Sequence, residues 1–183
     1  DDRVLQTAAK LNAGFKSLFA INQNDAKGIG LGRYPEDRYD GYVTSGTGNA
    51  WFLATFGMAE INYRAAADFV RKGRVELSKR NIPFFEAMGV KNLQPNTTLA
   101  AESSVFKKVI SSMLKGGDDN MLRCFQHMNQ QDGRMSEQFN RVSGYMQGAH
   151  DLTWSYASFL TANAARKDLL HLLKKISLTA SSL

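Results

Sequence analysis

The chain has 183 residues, of which 43% are hydrophobic and 22% are charged, and its formal net charge is +6 at pH 7. These values are typical of a folded domain with its own core and exclude collagen, coiled coils and disordered chains. The sequence contains no run of about 18 apolar residues, so no membrane span is expected. The Lys and Arg residues are scattered rather than clustered among aromatic residues, which argues against a nucleic-acid partner.

Apolar spacing predicts two helices and a long loop in the first part of the chain. Residues 3–20 repeat apolar side chains at intervals of three and four, which places them on one face of a helix. Residues 22–49 break this pattern with glycines and a proline, and long loops of this kind are usually functional or disordered. We expect Asn49 to cap a nearly all-apolar, buried helix over residues 50–69, with Gly73 as its stop signal.

Shorter helices are expected in the rest of the chain. Gly116 and Gly117 separate two of them, residues 132–150 are irregular, and Asp151 caps the helix that follows. The predicted helices cover residues 82–88, 99–115, 119–131, 152–163 and 168–178. Since no segment shows sustained strand alternation, the predicted fold class is all-α, arranged in two concentric layers or in a bundle.

Two loops combine the residue types that a carbohydrate site needs, and each precedes an apolar helix. The first loop contains Gly-Arg-Tyr-Pro-Glu-Asp at residues 32–37 and leads to Gly-Asn-Ala-Trp-Phe-Leu at 48–53. The second contains Met-Ser-Glu-Gln at residues 135–138 and leads to Asp-Leu-Thr-Trp-Ser-Tyr at 151–156. Aromatic faces stack on sugar rings, while arginine, carboxylate and amide groups bind sugar hydroxyls.

Glu137 is the candidate for a catalytic carboxylate. An inverting glycosidase uses one carboxylic acid to protonate the leaving oxygen, and a second carboxylate to activate a water on the opposite face. Glu137 lies on an exposed loop and is suited to the second task. A glutamate without such motifs around it would most simply be an ordinary surface residue, so the assignment of Glu137 depends on the surrounding motifs.

The four motifs, taken in this order, resemble those of the glucoamylases, glycoside hydrolase family 15. The resemblance extends over residues 32–163 and implies that residues 1–183 are the C-terminal part of a single catalytic domain, which would be a partial (α/α)6 barrel. The implied activity is that of a glucan 1,4-α-glucosidase, an inverting exo-hydrolase that releases β-glucose from starch, glycogen or maltooligosaccharides. It implies no metal and no organic cofactor.

The resemblance also implies roles for individual residues. Glu137 matches the general base, and Gln138 would lie beside the attacking water. Arg33 matches the residue that binds hydroxyls of the terminal glucose. The remaining matches line the same pocket or lie at or behind the sugar subsites, and they are Tyr34, Asp37, Trp51 and Trp154.

Structural roles remain open for several of these residues. Arg33 can form a loop-stabilising ion pair with Glu36 or Asp37 and still bind sugar. Both tryptophans lie at predicted helix starts, where core packing is an alternative to lining the pocket. Tyr39 and Tyr156 fit either a pocket or a core role equally well.

The chain departs from the family pattern at the general acid. That residue lies in a Trp-Glu-Glu motif upstream in the family, whereas neither tryptophan of this chain is followed by a carboxylate pair. We therefore expect the chain to need an N-terminal part of its own domain and to be inactive alone. The chain also does not begin with Met, and its apolar spacing predicts a helix almost from the first residue, as expected of a fragment.

Two alternative functions remain open. One is a non-catalytic glucan-binding or regulatory relative, and the other is a basic helical scaffold that binds protein or nucleic acid.

The remaining chemistry-bearing residues indicate no further site. The histidines lack the spacing of metal ligands, so no metal is expected at His127, His150 or His171. Cys124 lies on an apolar helix face, where a buried inert thiol is expected. Because it has no partner for an internal disulfide, an intracellular location is favoured, while export to the periplasm or medium stays open.

Overall fold

The computed structural model describes residues 1–23 and 27–180, with side chains as far as residue 175. Its helices are α1 (Asp2–Leu18), a 3-10 helix (Ala20–Asn22), α2 (Phe52–Lys72), α3 (Ile82–Ala87), α4 (Ser104–His127) and α5 (Thr153–Ala180). The strands have two or three residues each, and they are β1 (Ala50–Trp51), β2 (Arg74–Glu76), β3 (Thr98–Ala100), β4 (Gln138–Phe139) and β5 (Met146–Gln147). The all-α prediction is confirmed, and none of the described helices is long and apolar enough to cross a membrane.

The central element is α2, which packs along both α4 and α5. Phe52, Phe56, Ala59 and Tyr63 are fully buried along it, as its apolar circumference predicts. Burial of each large apolar side chain contributes about 1.5–3 kcal/mol before the entropy cost of ordering it. Gly73 ends α2 in the left-handed conformation at φ 64°, which confirms the predicted stop.

The predicted helix break at Gly116 and Gly117 is wrong, because α4 runs through both glycines without interruption. A Cβ atom at Gly117 would lie 2.4 Å from Cε1 of Tyr63, so the absence of a side chain lets the tyrosine ring pack against the helix. Glycine costs a helix interior about 1 kcal/mol relative to alanine. Close packing against the fully buried Tyr63 outweighs that local preference.

The two predicted C-terminal helices are one helix, α5. Ala162, Ala165 and Leu169 are buried on one side of it, so the apolar face continues through the segment expected to be a break. Arg166 lies on the same segment and donates two hydrogen bonds to Asp118 of α4, of 2.7 and 3.1 Å. This tertiary ion pair links α5 to α4 and supports helix continuity.

Neither predicted N-cap is observed. Between Asn49 and α2 lies strand β1, and the Asn49 side chain donates to the Asp40 carbonyl and to Oε1 of Gln138. Asp151 lies outside α5 and accepts a hydrogen bond of 2.7 Å from the Tyr156 hydroxyl. The Asn49 side chain thus bonds to distant parts of the chain, and the Asp151 side chain bonds to a side chain in the first turn of α5 instead of to a helix N–H group.

Candidate active site

A three-stranded sheet brings the two candidate loops together. Strand β1 pairs antiparallel with β4, so that Trp51 is opposite Gln138, and β5 pairs with the other side of β4. Glu137 directly precedes β4, and its N–H donates to the Ala149 carbonyl at 2.8 Å. The N-termini of α2 and α5 therefore lie beside the same small sheet, together with the residues that precede them.

Arg33 and Asp37 form the ion pair that the sequence suggested. Nε and Nη2 of Arg33 lie 2.7 and 2.8 Å from the two carboxylate oxygens of Asp37. Asp37 is buried, whereas the Arg33 side chain is 41% exposed. The hydrogen bonds from Arg33 lower the pKa of the Asp37 carboxyl, and the same bonds raise the pKa of Arg33. Asp37 is thus fixed as an anion that orients the guanidinium.

Aromatic rings surround the Arg33 guanidinium. Its central carbon lies 5.7 Å from the ring centre of Tyr34, 5.3 Å from that of Tyr39 and 5.0 Å from that of Trp51. Cation–π contacts of this kind contribute about 0.5–2 kcal/mol each, depending on how far they are removed from water. The ion pair and the rings hold Arg33 in one orientation while part of it stays open to solvent.

Trp51 is a core residue that also contacts the Arg33 side chain. It is 4% exposed, which is a core position, yet its ring packs against Arg33 and lies 6.2 Å from the Tyr39 ring. Its indole Nε1 is buried without a hydrogen-bond partner among the described residues. The Trp51 ring therefore forms a buried surface against which the Arg33 guanidinium packs.

Glu137 is partly exposed and its carboxylate is held by its neighbour. Nε2 of Gln138 donates to Oε2 of Glu137 at 3.1 Å, and Oε1 of Gln138 accepts from Nδ2 of Asn49 at 3.1 Å. Gln138 is completely buried, so its side chain contacts the carboxylate from the protein side. A role of Gln138 beside an attacking water stays a prediction.

Trp154 lies at the solvent-exposed start of α5. It is 60% exposed, so it does not belong to the core formed by the described residues. The following residue, Ser155, is buried and donates to the Ser136 carbonyl at 2.8 Å, next to Glu137 in sequence. Tyr156 accepts a hydrogen bond from the Met135 N–H at 3.0 Å. These two bonds fix the start of α5, with Trp154, to the loop that carries Glu137.

Tyr39 and Gly148 belong to the candidate site; the sequence left Tyr39 open between a pocket and a core role and did not indicate Gly148. Tyr39 packs against both Arg33 and Trp51, and a Cβ atom at Gly148 would lie 2.6 Å from Oε2 of Glu137. The Tyr39 position follows the Asp37 motif closely and could have been included on that ground. The role of Gly148 depends on the fold of the β4–β5 segment, for which the local sequence contains no signal.

Other features of the structure lie away from this cluster. A cavity of about 570 Å³ between α1, α2, α3 and α4 contains none of the predicted site residues in its lining. Among the described residues, no group of three or more His, Cys, Asp or Glu side chains could hold a metal ion. Cys124 is fully buried, and burial raises the pKa of its thiol, which agrees with the predicted inert role.

The comparison with known families decides the assignment of the chain. The family model described as glycosyl hydrolases family 15 matches residues 1–164. The chain belongs to this family. The residues matched by the family model include the loop that contains Arg33 and Asp37 and the loop that contains Glu137.

Curated members of the family share this part of their sequence with the chain. Glucoamylase of Blastobotrys adeninivorans is 37% identical over 177 residues, which cover 92% of this chain and 28% of that protein. Glucoamylase 1 of Rhizopus oryzae is 35% identical over 170 residues, or 90% of this chain and 27% of that protein. The chain thus spans less than a third of the length of these two relatives.

Solved structures of the family have the same fold over this segment. The glycoside hydrolase family 15 glucoamylase from Hypocrea jecorina has a TM-score of 0.83 at 31% identity, covering 92% of this chain and 27% of its own. The glucoamylase from Saccharomycopsis fibuligera has a TM-score of 0.82 at 32% identity, covering 92% and 36%. The fold is accordingly part of the (α/α)6 barrel predicted from the sequence.

Proposed function

We propose that residues 1–183 are the C-terminal part of a glucoamylase catalytic domain that releases β-glucose from the non-reducing ends of α-1,4-glucans by inversion. The observation that carries the proposal is the grouping of Glu137 with the Arg33–Asp37 pair above Trp51. Family membership and the printed names of the relatives support the glucan as substrate class.

In this proposal Glu137 is the general base. Its carboxylate is partly exposed and bound on one oxygen by Gln138, so the other oxygen can accept a proton from a water molecule. Arg33 supplies N–H donors to sugar hydroxyls, since Asp37 has already fixed its orientation. The exposed rings of Tyr34 and Trp154 offer apolar faces on which sugar rings stack.

Two of the three carboxylates of the Arg33 loop, Asp37 and Asp40, are unsuited to the role of general acid. Such a group must keep its proton near the working pH, which requires a raised pKa. Hydrogen bonds from Arg33 lower the pKa of Asp37, and hydrogen bonds from the backbone of Val43 and Tyr42 lower the pKa of Asp40. We infer that the acid comes from a part of the polypeptide outside residues 1–183.

Exposed apolar surface on two elements supports an additional part of the domain. Leu160 of α5 is 62% exposed, and Val4 of α1 lies at a groove lined also by Gly57 and Ile61 of α2. Such surfaces are usually covered by further protein. We expect the remaining helices of the barrel to pack here, and residues 1–183 alone to show negligible hydrolysis.

Substitution of the base in the full-length polypeptide tests the proposal. Glu137→Gln keeps the shape of the side chain but removes its basicity, so kcat on maltooligosaccharides should fall by at least about a hundredfold. Glu102→Gln, at an exposed glutamate before α4, serves as the matched control and should retain normal kcat. Near-normal glucose release by Glu137→Gln would refute the assignment.

The lowered pKa values of Asp37 and Asp40, which leave neither carboxyl with a proton to donate near neutral pH, also favour a second candidate, a non-catalytic glucan-binding or regulatory domain. Isothermal titration with maltooligosaccharides would show binding under both hypotheses, whereas glucose release separates them. A full-length wild-type protein that binds the oligosaccharides without releasing glucose would support the second candidate.

A further inference from the structure

Tyr39 lies at the point where the arginine side and the glutamate side of the site meet. Its backbone N–H donates to Oδ1 of Asp37 at 3.0 Å, which ties it to the Arg33 pair. Its ring lies under the Arg33 guanidinium and against Trp51. Its hydroxyl contacts the backbone of its own loop at Gly41.

The hydroxyl makes a defined contact with that backbone. It donates to the Gly41 carbonyl at 3.0 Å. Gly41 in turn packs against Gly148 so closely that a Cβ atom on Gly41 would lie 2.9 Å from Cα of Gly148. A Cβ atom on Gly148 would lie 2.6 Å from Oε2 of Glu137. Close contacts thus extend from the Tyr39 hydroxyl to the Glu137 carboxylate.

We propose that Tyr39 is a positioning residue, which keeps the Glu137 carboxylate in place by holding the Gly41 backbone. The inference rests on the proposed role of Glu137 as general base. A general base must lie within about 2.6–3.2 Å of the proton that it removes, so a small displacement of its oxygen lowers the rate. Tyr39 acts through Gly41 and Gly148 and not by binding substrate.

The electrostatics of the hydroxyl agree with this arrangement. Burial raises the pKa of Tyr39, and the nearby charge of Glu137 adds to the rise. Tyr39 therefore keeps its proton and remains a hydrogen-bond donor throughout the range in which Glu137 acts as a base. Loss of the hydroxyl would remove this donor without changing the net charge of the site.

Tyr39→Phe in the full-length enzyme tests the proposal, because it keeps the ring beneath Arg33 and removes only the hydroxyl. We expect kcat to fall by about tenfold, the effect of losing one hydrogen bond of average strength near a charged group. KM should change by less than about twofold, since the Arg33–Asp37 pair remains. Tyr42→Phe is the matched control: its side chain is 68% exposed in the same loop, and it should leave both constants unchanged.

A double-mutant cycle separates positioning from a general structural effect. If Tyr39 acts through Glu137, Tyr39→Phe should cause no further loss of kcat in a Glu137→Gln background. Gly41→Ala disturbs the same contact from the other side and should also lower kcat, which provides a second variant should Tyr39→Phe fail to fold. Gly133→Ala also places an alanine at a positive φ angle, 74° against 105° at Gly41, but in open space, and serves as the control for such strain.

Three results would overturn the inference: unchanged kcat in Tyr39→Phe, an effect on KM alone, or the full additional loss in the Glu137→Gln background. Failure of the proposed function gives a different pattern, because Glu137→Gln would then retain activity. Loss of activity in Glu137→Gln together with normal kinetics in Tyr39→Phe would reject only the positioning role.

Discussion

Arg33 donates two parallel hydrogen bonds to Asp37, one from Nε and one from Nη2, over a separation of four residues. The acceptor is buried and the donor is half exposed, so the anion is fixed by the fold and the cation faces the open side. A planar guanidinium is required for this geometry, since a lysine ammonium cannot reproduce the paired bonds. The pair thus holds the exposed side of Arg33 in one orientation.

Replacement of Arg33 by lysine should weaken substrate binding while the charge is conserved. We expect kcat/KM of full-length Arg33→Lys on maltooligosaccharides to fall by about 10- to 100-fold, the effect of about 1.5–3 kcal/mol for hydrogen bonds to charged groups. Arg38→Lys, at an exposed arginine of the same loop, should retain normal kinetics. Equal kcat/KM in the two variants would exclude a binding role for Arg33.

Introduction of a methyl group at Gly148 should displace the Glu137 carboxylate. Gly148 and Gly133 share positive φ angles, of 79° and 74°, but an added Cβ meets Oε2 of Glu137 only at Gly148 and open space at Gly133. Both alanine variants carry about 1–2 kcal/mol of left-handed strain. Steady-state kinetics should show at least a tenfold lower kcat for Gly148→Ala than for Gly133→Ala, roughly 1.4 kcal/mol in the barrier; similar values would contradict the steric role.

The packing of Gly117 against Tyr63 can be tested by stability. Gly117→Ala places a Cβ atom 2.4 Å from the buried ring and should lower the free energy of unfolding by about 1–3 kcal/mol. Gly14→Ala in α1 meets nothing within 4 Å and should raise it by about 0.5–1 kcal/mol, as expected from helix propensity. Urea unfolding followed by circular dichroism measures both changes, and a stabilising Gly117→Ala would show that the ring moves aside at no cost.

Asp118 should make the stability of the fold depend on pH. Burial opposes ionisation of this carboxyl, but hydrogen bonds from Arg166 and Tyr63 outweigh it and lower its pKa in the folded protein. A carboxyl with a lowered folded-state pKa stabilises the fold above its unfolded pKa of about 4, and this contribution is lost as pH falls toward the folded value. We therefore expect the free energy of unfolding to decrease below about pH 4.

Asp118→Asn provides the measurement, through urea unfolding as a function of pH. The variant should be less stable than the wild type near pH 6, and the difference should shrink as the pH is lowered. Asp68→Asn removes the carboxylate of an exposed ion pair with Lys72 and should show a pH dependence close to that of the wild type. A constant difference between Asp118→Asn and the wild type across this range would contradict the linkage.

The sequence predicted elements correctly where local pattern and tertiary packing agree. Apolar spacing identified α1, α2 and α3 to within a few residues, and Gly73 was correctly taken as the end of α2. Local signals failed where a distant side chain provides the deciding contact. Gly117 continues its helix because the Tyr63 ring occupies the space beside it, and α5 continues past residue 163 with Arg166 bound to Asp118.

The motifs alone determined which residues are candidates for the site and which family they resemble, because those signals consist of residue types at fixed local spacing. Only the tertiary structure decided that Trp51 is buried beneath Arg33 while Trp154 faces solvent. It also decided that Glu137 lies beside the arginine loop, since this depends on the pairing of β1 with β4 and on the hydrogen bond between Asn49 and Gln138. Such contacts join residues almost half the chain apart, and no local pattern of apolar or polar residues encodes their pairing.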